Sequence, residues 1–314
     1  VQVWDVACER QIELRGPDAA RLMQMLTPRD LRGMLPGQCF YVPIVDETGG
    51  MLNDPVALKL SEDRWWISIA DSDLLFWVKG LAYGYRLDVL VDEPDISPLA
   101  VQGPQADDLM ARVFGDAVRS IKFFRFGWFD FQGVSMAVAR SGYSKQGGFE
   151  IYVDGTKNGM PLWNALFEAG KDLDVYAGCP NLIERIEGGL LSYGNDMTRE
   201  NTPHECGLGR FCSTQTAIGC VGRDALLRVA KEGPTQQIRA ISIDGDIPVC
   251  SGAWPLMAKG KRVGQITSAA KSPDYGTNVA IGMVRMTHWD EGSQLEVHTP
   301  DGPRDVTVHE KFWI

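Results

Sequence analysis

The sequence predicts an α+β fold that ends in a small β-barrel. Short segments of alternating apolar and polar residues recur along the chain, and stretches with apolar residues three or four positions apart lie between them. Short turns containing glycine or aspartate join many of the alternating segments, which favours antiparallel pairing over a doubly wound parallel sheet. After the KEGP stretch at 231–234 only strand-like segments follow, which indicates an all-β barrel.

The individual elements follow from these two periodicities. Strands are predicted at 11–14, 40–44, 65–69, 134–139 and 149–153 in the body, and at 238–243, 263–268, 279–284, 295–298 and 306–309 in the barrel. Helices are predicted at 17–26, 73–85 (with Asp71 as its cap), 105–114, 161–169 and 180–191. We therefore expect two domains, a body over 1–230 and a barrel over 235–314.

Charge and hydropathy argue against several classes of partner. The chain has 31 Lys and Arg against 41 Asp and Glu, and its net charge of -10 would repel a phosphate backbone. No apolar run approaches the roughly 20 residues that cross a bilayer, and the first ten residues lack a leader pattern. We expect a cytoplasmic protein that binds neither nucleic acid nor membrane.

The cysteines predict no metal site and no disulfide framework. There are seven of them, an odd number without CxxC spacing, and only four histidines could join them as ligands. Reduced thiols in or near the core are the expected state. The sequence has no GxSxG motif, the motif that carries a nucleophilic serine. CGLGRF at 206–211 lacks the third glycine of a dinucleotide-binding loop.

Three segments combine carboxylates with glycines and aromatic residues. They are GGMLNDP at 49–55, SGYSKQGGFEIYV at 141–153 and ERIEGGLLSYGNDM at 184–197. Each alone is also typical of an ordinary element: a hairpin turn, a hairpin with an exposed strand, and a helix with a solvated charged face. Several tyrosines, tryptophans and phenylalanines lie near these segments, and a few around a carboxylate would suit a flat heterocycle or an organic cation.

In order along the chain, these segments resemble the aminomethyltransferase family, the T-proteins of the glycine cleavage system and their relatives. AVQGP at 100–104, SYGND at 192–196 and GQITSAAKSPDYGTNVAIGMV at 264–284 extend the resemblance over most of the chain. It implies a tetrahydrofolate-binding body followed by a β-barrel. Family members usually have about fifty further residues before Val1, which implies that an N-terminal part is missing here.

The resemblance also implies roles for particular residues. Asp54 matches the family's catalytic acid beside the reacting folate nitrogen, and Glu150 matches the acid that binds the pterin edge. Tyr143 matches the tyrosine of the glycine-rich loop, and Tyr41 and Tyr152 are further candidates for folate binding. The sequence departs from the T-protein pattern at Asn181, where the family has an arginine, and at Pro55, which directly follows the acid.

LTPRDLRGMLPGQ, IADSDLLFWVKGLAYG and CPNLIERIEGGLLSYGNDMT are most similar to the branch of the family that demethylates dimethylsulfoniopropionate to methylmercaptopropionate. This implies a methyltransferase that forms 5-methyl-tetrahydrofolate, with Trp128 as a candidate for the wall that faces the sulfonium. Lys145 or Arg140 could hold the donor's carboxylate. Another folate-dependent aminomethyltransferase or demethylase, or a folate-binding protein without catalysis, stays open as an alternative. Base rates favour a homodimer.

Overall fold

The computed structural model describes residues 1–69, 72–213 and 218–313, and the chain divides into two compact units. Unit 1 comprises Val1–Ile44 and Asn53–Pro180, and unit 2 comprises Val45–Leu52 and Asn181–Ile314. The second unit therefore contains more than the barrel, since residues 181–232 group with it. The domain boundary at 230–235 stays a prediction.

The strands of the first 180 residues are β1 (Gln2–Asp5), β2 (Gln11–Arg15), β3 (Cys39–Tyr41), β4 (Ile44–Val45), β5 (Met51–Asn53), β6 (Val56–Ser61), β7 (Arg64–Ser68), β8 (Leu90–Asp92), β9 (Ile96–Gln102), β10 (Phe126–Phe131), β11 (Val134–Ala139), β12 (Gly148–Asp154) and β13 (Tyr176–Gly178). The helices are α1 (Ala19–Leu26), α2 (Leu75–Gly84), α3 (Ala106–Phe114) and α4 (Gly159–Ala169). All five strands and the first four helices predicted in this part are present, with shifted ends. Asp71, the predicted cap of the second helix, lies outside the described residues.

Unit 1 contains two sheets. The first has the strand order β10-β11-β12-β9-β1-β13, and the second has the order β3-β6-β7-β2-β8. The described pairs are antiparallel except β1 with β13, as the short turns in the sequence predicted.

Each face of the first sheet has its own packing partner. Val138, Phe149 and Ile151 point to one face and pack with Leu109 of α3 and Leu166 of α4 in a single apolar cluster. The opposite face packs against the second sheet. That contact brings together Cys39, Leu58, Trp66, Ile96, Phe126, Ala137, Ala139 and Tyr152. The two sheets thus form a sandwich whose interior is the place where a ligand could be enclosed.

The remaining elements are α5 (Leu182–Glu187), α6 (Arg223–Glu232), β14 (Gln236–Ile243), β15 (Trp254–Ala258), β16 (Lys261–Ser272), β17 (Thr277–Arg285), β18 (Gln294–Thr299) and β19 (Gly302–His309). The last six strands form a closed barrel in the order β14-β17-β16-β15-β18-β19, which confirms the predicted C-terminal barrel. Of these elements, α6 and β15 were not predicted. In the first 180 residues, the strands that were not predicted are β1, β5, β6, β8, β9, β10 and β13. The predicted helix at 180–191 is shorter than expected because Gly188 ends it and Gly189 adopts φ +63°.

Buried charges join α5 to the barrel within unit 2. Arg185 donates to Asp196 Oδ2 at 2.7 Å and to the Ser268 hydroxyl at 2.6 Å, and Thr267 donates to Asp196 Oδ1 at 2.7 Å. Glu187 is also buried and accepts a hydrogen bond from Ser272. A solvated helix face was one interpretation of this segment, and it is wrong for Arg185 and Glu187, because Asp196 and the barrel strand β16 supply their partners.

Among the described residues, no helix is long and apolar enough to cross a membrane.

Asn181 caps helix α5: its side-chain oxygen accepts hydrogen bonds from the backbone N–H groups of Ile183 (2.9 Å) and Glu184 (3.4 Å). We predict that Asn181→Ala lowers the stability by roughly 1 kcal/mol, because two N–H groups lose their acceptor. In a chain of this size the melting temperature should fall by about 2 °C. Asn181→Asp, which keeps the acceptor, is the control and should melt like the wild type. An unchanged melting temperature in Asn181→Ala would contradict the capping role.

Candidate functional site

Strand β12 places Glu150 and Tyr152 on the inner face of the first sheet. The two residues are two positions apart, so they share a face, while their neighbours point into the α3–α4 core. Ala100 on β9 and Ala139 on β11 are directly opposite Glu150 in the register. Cβ atoms of such pairs lie about 5 Å apart, so the carboxylate is flanked on both sides by the smallest side chain that a strand commonly carries.

The Glu150 carboxyl group is 9% exposed and accepts a hydrogen bond from the Ser141 hydroxyl. Burial raises its pKa above the ordinary 4.5, and the Ser141 hydrogen bond opposes that rise without cancelling it. Sheet packing therefore holds an acceptor with little competition from water. A ligand that presents N–H groups would satisfy it.

Tyr152 is almost fully buried beside this carboxyl group. Burial raises the pKa of its phenol well above the ordinary value, the nearby Glu150 adds to the rise, and a hydrogen bond with Ser68 opposes it. The ring of Trp66 on β7 packs against Tyr152 with centroids 5.8 Å apart. Trp66 is itself fixed because its indole N–H donates to the buried Glu13 carboxylate at 3.0 Å.

The glycine-rich loop before β12 is held by Gln102. Its amide nitrogen donates to the carbonyl groups of Ser141 (3.1 Å) and Phe149 (3.2 Å), and its oxygen accepts from the Ser144 hydroxyl at 2.8 Å. A Cβ at Gly142 would collide with the Gln102 side chain, and that glycine has a φ of +156°. The loop glycine is therefore required for the approach that brings Ser141 to Glu150.

A second carboxylate lies between β5 and β6. Asp54 is 8% exposed, and its Oδ2 accepts a hydrogen bond from the Tyr41 hydroxyl at 2.7 Å. The preceding Asn53 is anchored by a 2.8 Å bond to the Ser72 hydroxyl. The structure thus brings the predicted catalytic acid together with one of the predicted folate-binding tyrosines.

Two further predicted residues, Tyr143 and Trp128, lie in the glycine-rich loop and on an edge strand. Tyr143 is half-buried in the glycine-rich loop. Trp128 lies on the edge strand β10 and is 46% exposed. In the register Trp128 faces Ala137 and Ala137 faces Tyr152, which puts Trp128 two strands, roughly 9–10 Å, from Tyr152. Trp66 connects the two, since its ring also contacts Trp128 edge-on at 6.0 Å.

Of the two candidates for a donor carboxylate, Arg140 already has partners. Its guanidinium donates to Asp107 and to the Ile121 carbonyl group, and it stacks over the Phe149 ring at 4.3 Å. Phe149 belongs to the face opposite Glu150. Arg140 therefore holds the α3 side of the sheet, and the expectation that it could bind a donor is wrong.

Sequence reasoning missed Trp66, Ser141, Ser68 and Gln102 as parts of the site. Ser141 begins the recognised segment at 141–153, and Gln102 lies in the AVQGP motif at 100–104, so signals existed for both. Ser68 carries no pattern of its own, because its role follows from cross-strand register. The described residues contain no cluster of three His, Cys, Asp or Glu able to hold a metal ion.

Comparison with known proteins defines the class. The GCVT N-terminal domain family matches residues 1–216, and the glycine cleavage T-protein C-terminal barrel domain matches residues 236–313. The chain belongs to the glycine cleavage T-protein family, which confirms the resemblance inferred from the sequence.

Three individual proteins are similar to this chain over most of its length. The chain is 63% identical over 313 residues to dimethylsulfoniopropionate demethylase DmdA of Ruegeria pomeroyi, covering 100% of this chain and 85% of that protein. It is 28% identical to an aminomethyltransferase of Natranaerobius thermophilus, covering 94% and 82%. The crystal structure of aminomethyltransferase T from Bartonella henselae superposes with a TM-score of 0.88 at 25% identity, covering 100% and 86%. The predicted fold class is thereby confirmed.

The raised pKa of Glu150 predicts a pH-dependent stability. As the pH rises above 4.5, the unfolded chain ionises first while the folded protein keeps the proton, so stability is lost up to the raised folded pKa. Glu150→Gln removes this loss. The melting temperature of the variant minus that of the wild type should therefore increase between pH 5 and pH 8.

Exposed Glu168 provides the control, since Glu168→Gln should show no such pH-dependent difference. A constant difference between Glu150→Gln and the wild type across this pH range would contradict the buried, raised carboxyl group.

Proposed function

We propose that this chain is a tetrahydrofolate-dependent methyltransferase that demethylates dimethylsulfoniopropionate to methylmercaptopropionate, with formation of 5-methyl-tetrahydrofolate. The observation that carries the proposal is the enclosed Glu150 acceptor beside Tyr152, in a chain 63% identical over its whole length to an enzyme with that name. The acceptor supports folate binding, and the identity supports the sulfonium donor.

The residues around Glu150 suit the cofactor. A pterin ring presents N–H groups along one edge, and a carboxylate with two oxygens can accept two of them side by side. The flanking Ala100 and Ala139 leave side-chain room next to the carboxylate, and Tyr152 offers an aromatic neighbour. We assign Glu150, Tyr152, Tyr143 and Tyr41 to folate binding. Bound tetrahydrofolate would supply the ring nitrogen that takes up the methyl group.

Asp54 is the proposed catalytic residue. Its carboxylate is buried and oriented by the Tyr41 hydroxyl, so it can stabilise positive charge where the methyl group is transferred. A sulfonium methyl is already activated, and its carbon–sulfur bond breaks with the electron pair left on sulfur as a neutral thioether. No proton needs to reach the leaving group. The protein's contribution is then orientation and exclusion of water, effects that can reach roughly 7 kcal/mol or more.

Trp128 is the proposed contact to the sulfonium. It is half-exposed and packs against Trp66, and an aromatic face attracts a cation within about 6 Å of its centre. Lys145 in the glycine-rich loop is our candidate for the donor's carboxylate.

We further propose a cytoplasmic location and a homodimer. All seven cysteines are free thiols, which is typical of a reducing compartment. The oligomeric state can be measured by light scattering on the purified protein.

The direct test is to incubate the purified protein anaerobically with tetrahydrofolate and dimethylsulfoniopropionate and to quantify both products by chromatography. We expect equimolar 5-methyl-tetrahydrofolate and methylmercaptopropionate, loss of both in Glu150→Ala, and unchanged yield in the exposed control Glu168→Ala. Folate binding without either product would point to another methyl donor or to a non-catalytic role. Absence of folate binding would overturn the proposal.

The Tyr41–Asp54 hydrogen bond gives a second test. Tyr41→Phe removes the donor to a buried carboxylate, and hydrogen bonds to charged groups contribute about 1.5–3 kcal/mol. We expect kcat/KM to fall roughly tenfold to a hundredfold. Tyr83→Phe, at a tyrosine that is 84% exposed, is the matched control and should retain wild-type kinetics. Equal activity in both variants would show that Tyr41 does not orient the acid.

A further inference from the structure

Gln11 on β2 lies in the sheet sandwich on the face that carries the candidate site. Across the second sheet, Gln11 pairs with Ser68, Ser68 with Val56, and Val56 with Tyr41, so these four residues form one row on one face. Ser68 hydrogen-bonds Tyr152, and Tyr41 hydrogen-bonds Asp54. The row that contains Gln11 therefore contacts Tyr152, which neighbours Glu150, and also contacts Asp54.

The orientation of the Gln11 amide is fixed. Its nitrogen donates to the Glu9 carbonyl oxygen at 2.7 Å and to the Ser68 hydroxyl at 3.0 Å. Rotating the amide by 180° would place its oxygen against the Glu9 carbonyl oxygen, two acceptors in contact, so the assignment of nitrogen and oxygen is determined by the partners.

The Gln11 amide oxygen is a buried acceptor for which the described residues provide no hydrogen-bond donor. The side chain is 1% exposed. Buried polar atoms in folded proteins nearly always have a partner, and one without a partner reduces stability. A glutamine at a position where its oxygen reduces stability indicates that a ligand supplies the missing hydrogen-bond donor.

Resting on the proposed function, we infer that Gln11 is a further folate-binding residue whose amide oxygen accepts an N–H of the pterin 2-amino group. The pterin edge carries one ring N–H and two amino N–H groups. A carboxylate such as Glu150 can accept two of these three, and the second amino N–H then needs another acceptor. Because this oxygen is enclosed, the inferred contact requires the Gln11 side chain to shift when the pterin binds.

The test compares two ligands and three proteins in anaerobic titrations followed by calorimetry. The ligands are tetrahydrofolate and an analogue in which a methyl group replaces the 2-amino group. The proteins are the wild type, Gln11→Met and Gln105→Met. Gln11→Met removes the amide oxygen together with the amide nitrogen at similar side-chain length. Gln105→Met is the same change at an exposed position.

We expect Gln11→Met to bind tetrahydrofolate about tenfold more weakly than the wild type, and to bind the analogue with less than a twofold change. Gln105→Met should bind both like the wild type. Without ligand, Gln11→Met should melt at a lower temperature than the wild type, because the Glu9 carbonyl group and the Ser68 hydroxyl lose the amide donor.

Equal loss of affinity for both ligands would overturn the inference, since it would indicate general damage to the site. Unchanged affinity for tetrahydrofolate in Gln11→Met would also overturn it. Failure of both Gln11→Met and Gln11→Leu to fold would assign Gln11 to the core alone. If the wild type does not bind tetrahydrofolate, the proposed function itself fails, which is a distinct result.

Discussion

The burial of the Glu150 carboxyl group is the constraint on which the candidate site depends. An acid loses favourable hydration when it is enclosed, and the Ser141 hydrogen bond offsets part of that loss. The strand holds it there because the alternate positions of β12, Phe149, Ile151 and Val153, are anchored in the α3–α4 core. One face of β12 thus stabilises the sheet through apolar packing, and the other face carries Glu150 and Tyr152.

The second sheet completes the enclosure with a mixture of apolar and polar side chains. Cys39, Leu58 and Trp66 pack directly on the first sheet, while Glu13 and Ser68 give Trp66 and Tyr152 their hydrogen-bond partners. Because each aromatic ring is held by a polar group behind it, the rings around the carboxylate have fixed positions. Binding a flat ring then requires little reorganisation, which favours affinity.

The fold was largely predictable because its signals are local. Alternation predicted the strands, and the turn residues predicted antiparallel pairing. The helix α6 and several strands, among them β6, β9 and β15, were not predicted, although α6 buries Ala225 and Leu226 on one face. Sequence motifs pointed to Glu150 and Asp54. The residues that surround and hydrogen-bond the site are brought there by strand pairing, which no motif records. Ser68 reaches Tyr152 from a strand more than eighty residues away in sequence, and Asn181, which stands where the family has an arginine, caps α5.

The inner faces of the two sheets differ from an ordinary sandwich core in a way that bears on function. In a core built only for stability, Glu13, Gln11 and Glu150 would be apolar, because each buried polar group must be satisfied or reduces stability. Glu13 is satisfied by Trp66 and Arg64, whereas Glu150 keeps a raised pKa and Gln11 keeps an acceptor without a donor among the described residues. Among the described residues of these inner faces, the Gln11 amide oxygen is an acceptor without a donor, and donors from a ligand would favour the ionised form of Glu150. A ligand that stabilises this interior must bring N–H donors, which is the property that the edge of a reduced pterin has and that the sulfonium donor lacks.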